Sequence, residues 1–221
     1  VLYELDLRLR PSGNKGPVAT HIEAFRKYQR DEAWTWEHMA LTRGRPVAGD
    51  RAFQDVVEAE VAEILARPRD AAKVFRDAAE MRRTIGKEKP PRDIWDLKLI
   101  PGGQIDLEFI AQCARLTDDI EPDVWPPTST GDGLSRLKPA FCDGQARDEL
   151  VAAYGLYLSL TQIVRLCLTG PLEPKDVPPG LADLLLRSTD LPDLSVLEAH
   201  IKDTSQRVKA HFDALLRGRR G

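Results

Sequence analysis

Cysteine is scarce in this sequence, and the cysteines present are not paired. Only three of the 221 residues are cysteine, namely Cys113, Cys142 and Cys167. An odd number of widely separated thiols provides neither the CxxC spacing of a zinc site nor the framework of a disulfide-rich secreted domain. The cysteine content therefore predicts reduced thiols and a cytoplasmic protein.

Strong charge imbalance and long apolar runs are also missing. The 32 Lys and Arg residues nearly balance the 35 Asp and Glu residues, for a net charge of −3, so no overall basic field favours nucleic acid. The sequence shows no apolar run of bilayer-spanning length, no signal peptide and no repeat of 20 to 50 residues. We therefore expect neither nucleic acid nor a membrane as a partner.

A short segment with strictly alternating residues opens the chain. Its apolar side carries Tyr3, Leu5, Leu7 and Leu9, and its charged side carries Glu4, Asp6, Arg8 and Arg10. Because successive side chains of a strand point to opposite faces, the alternation predicts a β-strand over residues 2–10. The charged face is either an ordinary solvated surface or the lining of a cleft. Since Val1 already lies inside this predicted strand, we expect the chain to be a C-terminal fragment of a longer protein.

After Gly16 the spacing of apolar residues becomes helical. Helices are predicted at 21–30 (with Thr20 and Glu23 as a capping box), 32–42, from a cap at Asp50 to about 65, 71–85, 104–117, 134–141, 146–169, 181–187 and 195–216. Residues 95–100 are predicted to be extended, 86–92 and 118–133 to be loops, and 170–180 to be a linker. The predicted fold is mainly all-α. A remnant strand and turn (1–18) precede a helical domain (19–221) with a bundle of seven or eight helices.

Three motifs resemble a known family. The segments LYELDLRLRPSG at 2–13, EAWTWEHMALTR at 32–43, and DLK at 96–98 with GGQIDLEF at 102–109 are similar to bacterial glutamine synthetase adenylyltransferases. They are most similar to the C-terminal, adenylylating half of that two-headed enzyme. The similarity covers about residues 1–117, whereas the remainder is interpreted from helical pattern alone.

This resemblance implies a nucleotidyltransferase of the polymerase-β type with ATP as substrate and Mg²⁺ as cofactor. Such enzymes hold two metal ions with three carboxylates, and the metals neutralise charge at the phosphorus under attack. Asp6 matches the third carboxylate, a metal ligand and candidate general base, and Glu4 on the same face is the rival metal ligand. The other two carboxylates, an Asp-x-Asp pair, have no counterpart in this sequence. We therefore expect the isolated chain to be inactive.

Four cationic residues are candidates for nucleotide binding. Arg8, Arg10 and Lys15 surround the presumed metal face, and Lys98 matches a lysine of the family. Arginine and lysine are natural partners of a polyphosphate. Alternatively, Arg8 and Arg10 pair with the neighbouring acids of their own strand.

Three polar residues at the predicted helices have two interpretations each. Asp106 and Glu108 either lie near the nucleotide or simply complement the dipole in the first turn of their helix. For His38, which follows Glu37, a structural role is favoured over metal binding, because no second ligand occurs at helical spacing.

Three functions are compatible with these observations. The resemblance implies, first, part of an enzyme that transfers AMP from ATP to a tyrosine of glutamine synthetase and so regulates nitrogen assimilation. The second is part of the opposite, phosphorolytic adenylyl-removing head. The third is a helical docking module that binds glutamine synthetase or the PII signalling protein without chemistry. The segment 35–43 resembles the transferase head more closely than the removing head.

Overall fold

The computed structural model describes residues 13–120 and 129–217, and this part is helical. A single 3₁₀ turn at Gly13–Lys15 precedes nine α-helices in the described residues. These are α1 (Ile22–Asp31), α2 (Thr35–Leu41), α3 (Arg51–Ala66), α4 (Ala71–Glu88), α5 (Gln104–Leu116), α6 (Thr130–Ser135), α7 (Gly144–Cys167), α8 (Pro179–Thr189) and α9 (Leu194–Arg217). Within these residues the only β pairing is an isolated bridge between Ile120 and Leu137.

Helix α5 is the centre of the bundle. It packs against α2, α3, α4, α6, α7 and α9. Its sequence, QIDLEFIAQCARL, is apolar around most of its circumference, which is the pattern of a helix surrounded by others. Leu107, Ile110 and Cys113 are completely buried. The position of α5 thus decides which elements can meet around it.

Several helix ends are fixed by local hydrogen bonds. The carboxylate of Asp50 accepts from the Phe53 amide (2.9 Å), and that of Asp143 accepts from the Ala146 amide (2.9 Å), so each satisfies a backbone donor at a helix start. The C-terminal end of α3 is held by Arg69, whose guanidinium donates to the carbonyls of Ile64 (2.6 Å) and Leu65 (2.9 Å). The Arg69 contacts thus end α3 just before α4 begins at Ala71.

Helix α7 is long and apolar enough to cross a membrane, by length and composition alone. The prediction that the chain has no apolar run of bilayer-spanning length is therefore wrong for α7. A core helix passes the same test, and α7 contacts α5, α6, α8 and α9. Leu150, Tyr157 and Leu160 of α7 are fully buried in the bundle. Its apolar character is therefore in part explained by packing.

The predicted class, mainly all-α, is confirmed, and several local predictions are wrong. Residues 95–100 form turns instead of an extended segment, and the short helix predicted at 134–141 is replaced by α6, which starts at Thr130. Helix α1 is capped by His21 instead of Thr20, and α4 continues to Glu88, into the predicted loop. The predicted strand at 2–10 and the central half of the predicted loop at 118–133, residues 121–128, lie outside the described residues. The division into 1–18 and 19–221 stays a prediction.

Candidate functional site

A large cleft forms where two of the sequence motifs meet. Its volume is about 670 Å³, and it lies between α1, α2, α4 and α5. Trp36 and Arg43 come from the segment 32–43, whereas Glu108 and Phe109 come from the segment 102–109. The remaining walls are mostly apolar and include Phe25, Met39, Met81 and Ile85. Residues far apart in sequence thus share one concave surface, the usual location of a ligand site.

An ion pair joins the two motifs at this cleft. Arg43 Nη1 lies 3.3 Å from Glu108 Oε1, and the side chains are 46% and 22% exposed, respectively. At this exposure the attraction is screened by water and contributes little to stability. The pair therefore holds two charged groups beside the cleft without strong energetic constraint, so that either can contact a ligand.

Helix α2 is positioned by polar contacts on both of its sides. Glu37 accepts hydrogen bonds from the Trp34 amide (2.9 Å) and the Tyr28 hydroxyl (2.7 Å), which tie the start of α2 to α1. On the other side, Thr35 donates to Asp77 of α4. The cleft wall formed by α2 is therefore braced by both neighbouring helices.

His38 has a structural position, as the sequence analysis favours. Its Nε2 lies 3.0 Å from the backbone oxygen of Gln29, so the imidazole links α2 to α1. Burial lowers the pKa of His38, partly offset by this hydrogen bond. In residues 13–120 and 129–217, no group of three or more His, Cys, Asp or Glu side chains could hold a metal ion. The described residues alone therefore do not provide the implied magnesium site.

Asp106 lies on the opposite side of α5 and is 1% exposed. Its carboxylate pairs with the Arg82 guanidinium and accepts a hydrogen bond from the Gly102 amide. Arg82 also donates to the carbonyls of Leu99 and Ile100, both at 3.0 Å. Burial raises the pKa of Asp106, against the opposing effects of Arg82 and of the Gly102 amide. These contacts give Asp106 a structural role, because they hold the turn at 99–103 in place.

Gly102 allows this turn to approach α9 closely. Its φ is +79°, and a Cβ atom there would lie 1.8 Å from the backbone oxygen of Ser205. Only glycine fits such a backbone-to-backbone contact at positive φ. Gly102, the first glycine of the GGQIDLEF motif, is therefore required by the close packing of this turn against α9.

The predicted nucleotide-binding residues are only partly within the described structure. Lys15 and Lys98 are exposed, and neither lines the cleft. Glu4, Asp6, Arg8 and Arg10 lie outside the described residues, so their site roles stay predictions.

Two buried glutamines line the cleft. Neither was predicted from the sequence to be functional. Gln29 is 7% exposed and Gln112 is 8% exposed. Their signal in the sequence was a polar residue on an otherwise apolar helix face. Gln112, between Ala111 and Cys113, shows this most clearly.

Comparison with known proteins extends the resemblance to the whole chain. A family model described as glutamate–ammonia ligase adenylyltransferase matches residues 1–60. A bifunctional glutamine synthetase adenylyltransferase/adenylyl-removing enzyme from Mesorhizobium japonicum is 66% identical over 220 residues, which are 100% of this chain and 22% of that relative. Enzymes with the same name from Brucella suis and Agrobacterium fabrum are 52% and 49% identical, each over 98% of this chain and 22% of the relative.

The chain thus spans about a fifth of the length of these relatives. The predicted resemblance is confirmed, and it includes residues 118–217, for which the sequence analysis used helical pattern only. Over its whole length, this chain corresponds to one part of the bifunctional glutamine synthetase adenylyltransferase/adenylyl-removing enzymes.

Proposed function

We propose that this chain is part of an enzyme that transfers AMP from ATP to a tyrosine of glutamine synthetase and thereby regulates nitrogen assimilation. The observation that carries the proposal is the 66% identity over the whole chain to an enzyme whose name includes glutamine synthetase adenylyltransferase. The same name includes the adenylyl-removing activity. We favour the transferase because the segment 35–43, which forms one wall of the cleft, resembles the transferase head.

In this proposal the chemistry belongs to the first residues of the chain. Asp6 would bind Mg²⁺ and accept the tyrosine proton, with Glu4 as the second candidate ligand, and both offer the carboxylate oxygens that Mg²⁺ prefers. Arg8, Arg10, Lys15 and Lys98 would bind the phosphates of ATP. Because Lys15 and Lys98 are exposed, their ammonium groups can contact an anion from solution. Glutamine synthetase and PII would be partners, and the cytoplasm the location.

The test uses the full-length enzyme that carries this sequence. Asp6→Asn retains the size of the side chain but removes the charge needed for metal binding and proton transfer. Each of these effects accounts for orders of magnitude in rate, so AMP transfer should fall by at least about a hundredfold. The measurement is the incorporation of labelled AMP into glutamine synthetase, with circular dichroism to verify folding.

Glu4→Gln is the matched control on the same predicted strand face. An inactive Glu4→Gln enzyme beside a nearly normal Asp6→Asn enzyme would move the role to Glu4. Equal and mild losses in both would show that this face is only a solvated surface. The isolated 221-residue chain should transfer no AMP, because it lacks the Asp-x-Asp pair. Transfer by this chain alone would contradict the proposed metal site.

A further inference from the structure

A second, smaller recess adjoins the cleft. This recess, about 30 Å³, lies between the end of α2, α5 and α6, and shares Arg43 and Gln112 with the cleft. Its lining adds the cation Arg115 and the hydroxyl groups of Thr42, Ser129 and Thr130. We call the cleft and the recess together the α2–α5 groove. The groove is apolar at one end and polar, with arginines, at the other.

Two glutamines in this groove have hydrogen-bonding groups available. Gln29 Oε1 is buried and accepts no hydrogen bond. The Gln112 side chain makes no hydrogen bond within the described residues, and its amide, unlike Gln29 Oε1, is not fully enclosed. A buried polar group without a hydrogen bond loses its solvation with no compensation, so such groups usually have a partner. Because Gln112 lines both the cleft and the recess, its amide can hydrogen-bond to a molecule bound in the groove.

Arg115 differs from the other cations of the groove. Arg43 pairs with Glu108 at 3.3 Å and Arg136 pairs with Asp132 at 3.2 Å. For Arg115, by contrast, the described part of the chain provides no ion pair or hydrogen bond, although the side chain is half-buried. A guanidinium with its donors available at one end of a groove is suited to a carboxylate.

We propose that the α2–α5 groove binds an extended segment of a partner protein. An apolar or aromatic side chain of the segment occupies the cleft, where the flexible side chains of Met39 and Met81 adapt to varied shapes. The amides of Gln29 and Gln112 exchange hydrogen bonds with its peptide groups, since an amide both donates and accepts. Arg115 binds an acidic residue of the same segment. The proposed peptide binding does not depend on the proposed AMP transfer.

A nucleotide is the less suitable occupant. An adenine ring could also use glutamine amides, but its phosphates need several free cations nearby. The cleft instead contains the carboxylates of Glu37 and Glu108, which repel phosphate groups. A peptide carrying a single carboxylate near Arg115 avoids most of this repulsion.

The test is a peptide array probed with the labelled 221-residue chain. The decapeptides carry Phe, Trp, Leu or Met at one position and Asp, Glu, Ala or Lys one to four positions later. The chain should select apolar–acidic combinations over the Ala and Lys versions. Fluorescence anisotropy of the best peptide should then show at least about tenfold weaker binding to Arg115→Gln, the size expected for loss of one charge-assisted hydrogen bond. Arg165→Gln, at an exposed position of α7, is the matched control and should bind normally.

Gln112→Leu separates binding from folding. Leucine has a similar size but no polar atoms, so this variant should unfold at the same or a higher temperature than the parent chain while binding every selected peptide more weakly. The proposal is overturned if the array shows no acidic preference, or if Arg115→Gln and Gln112→Leu bind as well as the parent chain. Displacement of the peptide by AMP at equal concentration would also overturn it, in favour of a nucleotide site.

Discussion

Two carboxylates near the start of α5 differ in burial and in the role of their ion pairs. Asp106 and Glu108 are two positions apart, and at about 100° per residue their side chains point to nearly opposite sides of the helix. Asp106 is buried with Arg82 and organises the turn at 99–103. Glu108 is partly exposed with Arg43 beside the cleft. The buried side of α5 is thus built for stability and the cleft side for contact.

The largest expected effect is on the buried side. Asp106→Ala leaves the Arg82 guanidinium without its carboxylate in a buried site, which should lower the free energy of unfolding by about 3–5 kcal/mol. Glu108→Ala is the matched control in the same helix and should change it by at most about 1 kcal/mol. Urea unfolding followed by circular dichroism measures both. Equal losses would show that the two sides of α5 do not differ as the contacts suggest.

A second test concerns the close approach of the turn to α9. Gly102→Ala places a methyl group against the Ser205 carbonyl at positive φ, so the backbone must move and stability should fall by about 3 kcal/mol. Gly155→Ala is the control within α7, where a Cβ meets nothing within 4 Å. It should increase stability by about 0.5–1 kcal/mol, because alanine favours a helix more than glycine does. The same unfolding measurement applies, and an unaffected Gly102→Ala chain would contradict the contact.

The smallest effect is a pH dependence caused by His38, which links α2 to α1. Because the pKa of His38 is lowered in the folded chain, the unfolded chain takes up the proton first as the pH falls. Stability contributed by neutral His38 is therefore present above its unfolded pKa, about 6.5, and is lost below it. Thermal unfolding between pH 7.5 and 5.5 should show a steeper decrease for the parent chain than for His38→Gln. Identical pH profiles would mean that His38 is not protected from protonation.

Fold class could be predicted from the sequence because helical periodicity and caps are local. Asp50 and Asp143 illustrate this, since each bonds to an amide three residues later. The predictions that failed depended on distant partners. Within residues 13–120 and 129–217, residues 95–100 pair with no strand, and they fold back so that the backbone amide of Gln104 donates to the Leu97 carbonyl (2.9 Å). Burial is likewise not local, since the apolar residues Phe53 and Val56 of α3 are 50% and 41% exposed.

The candidate site was predicted less completely for the same reason. The motifs at 32–43 and 102–109 could be recognised separately, but their meeting at Arg43 and Glu108 depends on how α2 packs against α5. Gln29 and Gln112 each interrupt an apolar helix face in the sequence, but that pattern does not show that the two residues line one cleft. Packing brings both to the cleft and leaves Gln29 Oε1 buried without a hydrogen-bond donor.

The sequence by itself determined the helical class, most helix positions and the resemblance to glutamine synthetase adenylyltransferases, because periodicity, capping and motif order are written along the chain. Tertiary structure alone decided that Asp106 is buried in an ion pair whereas Glu108 lies at a cleft. Both acids have the same local setting in the first turns of α5, so local chemistry cannot distinguish them. The difference arises because α4 and α9 cover one side of α5, whereas the cleft leaves the other side accessible.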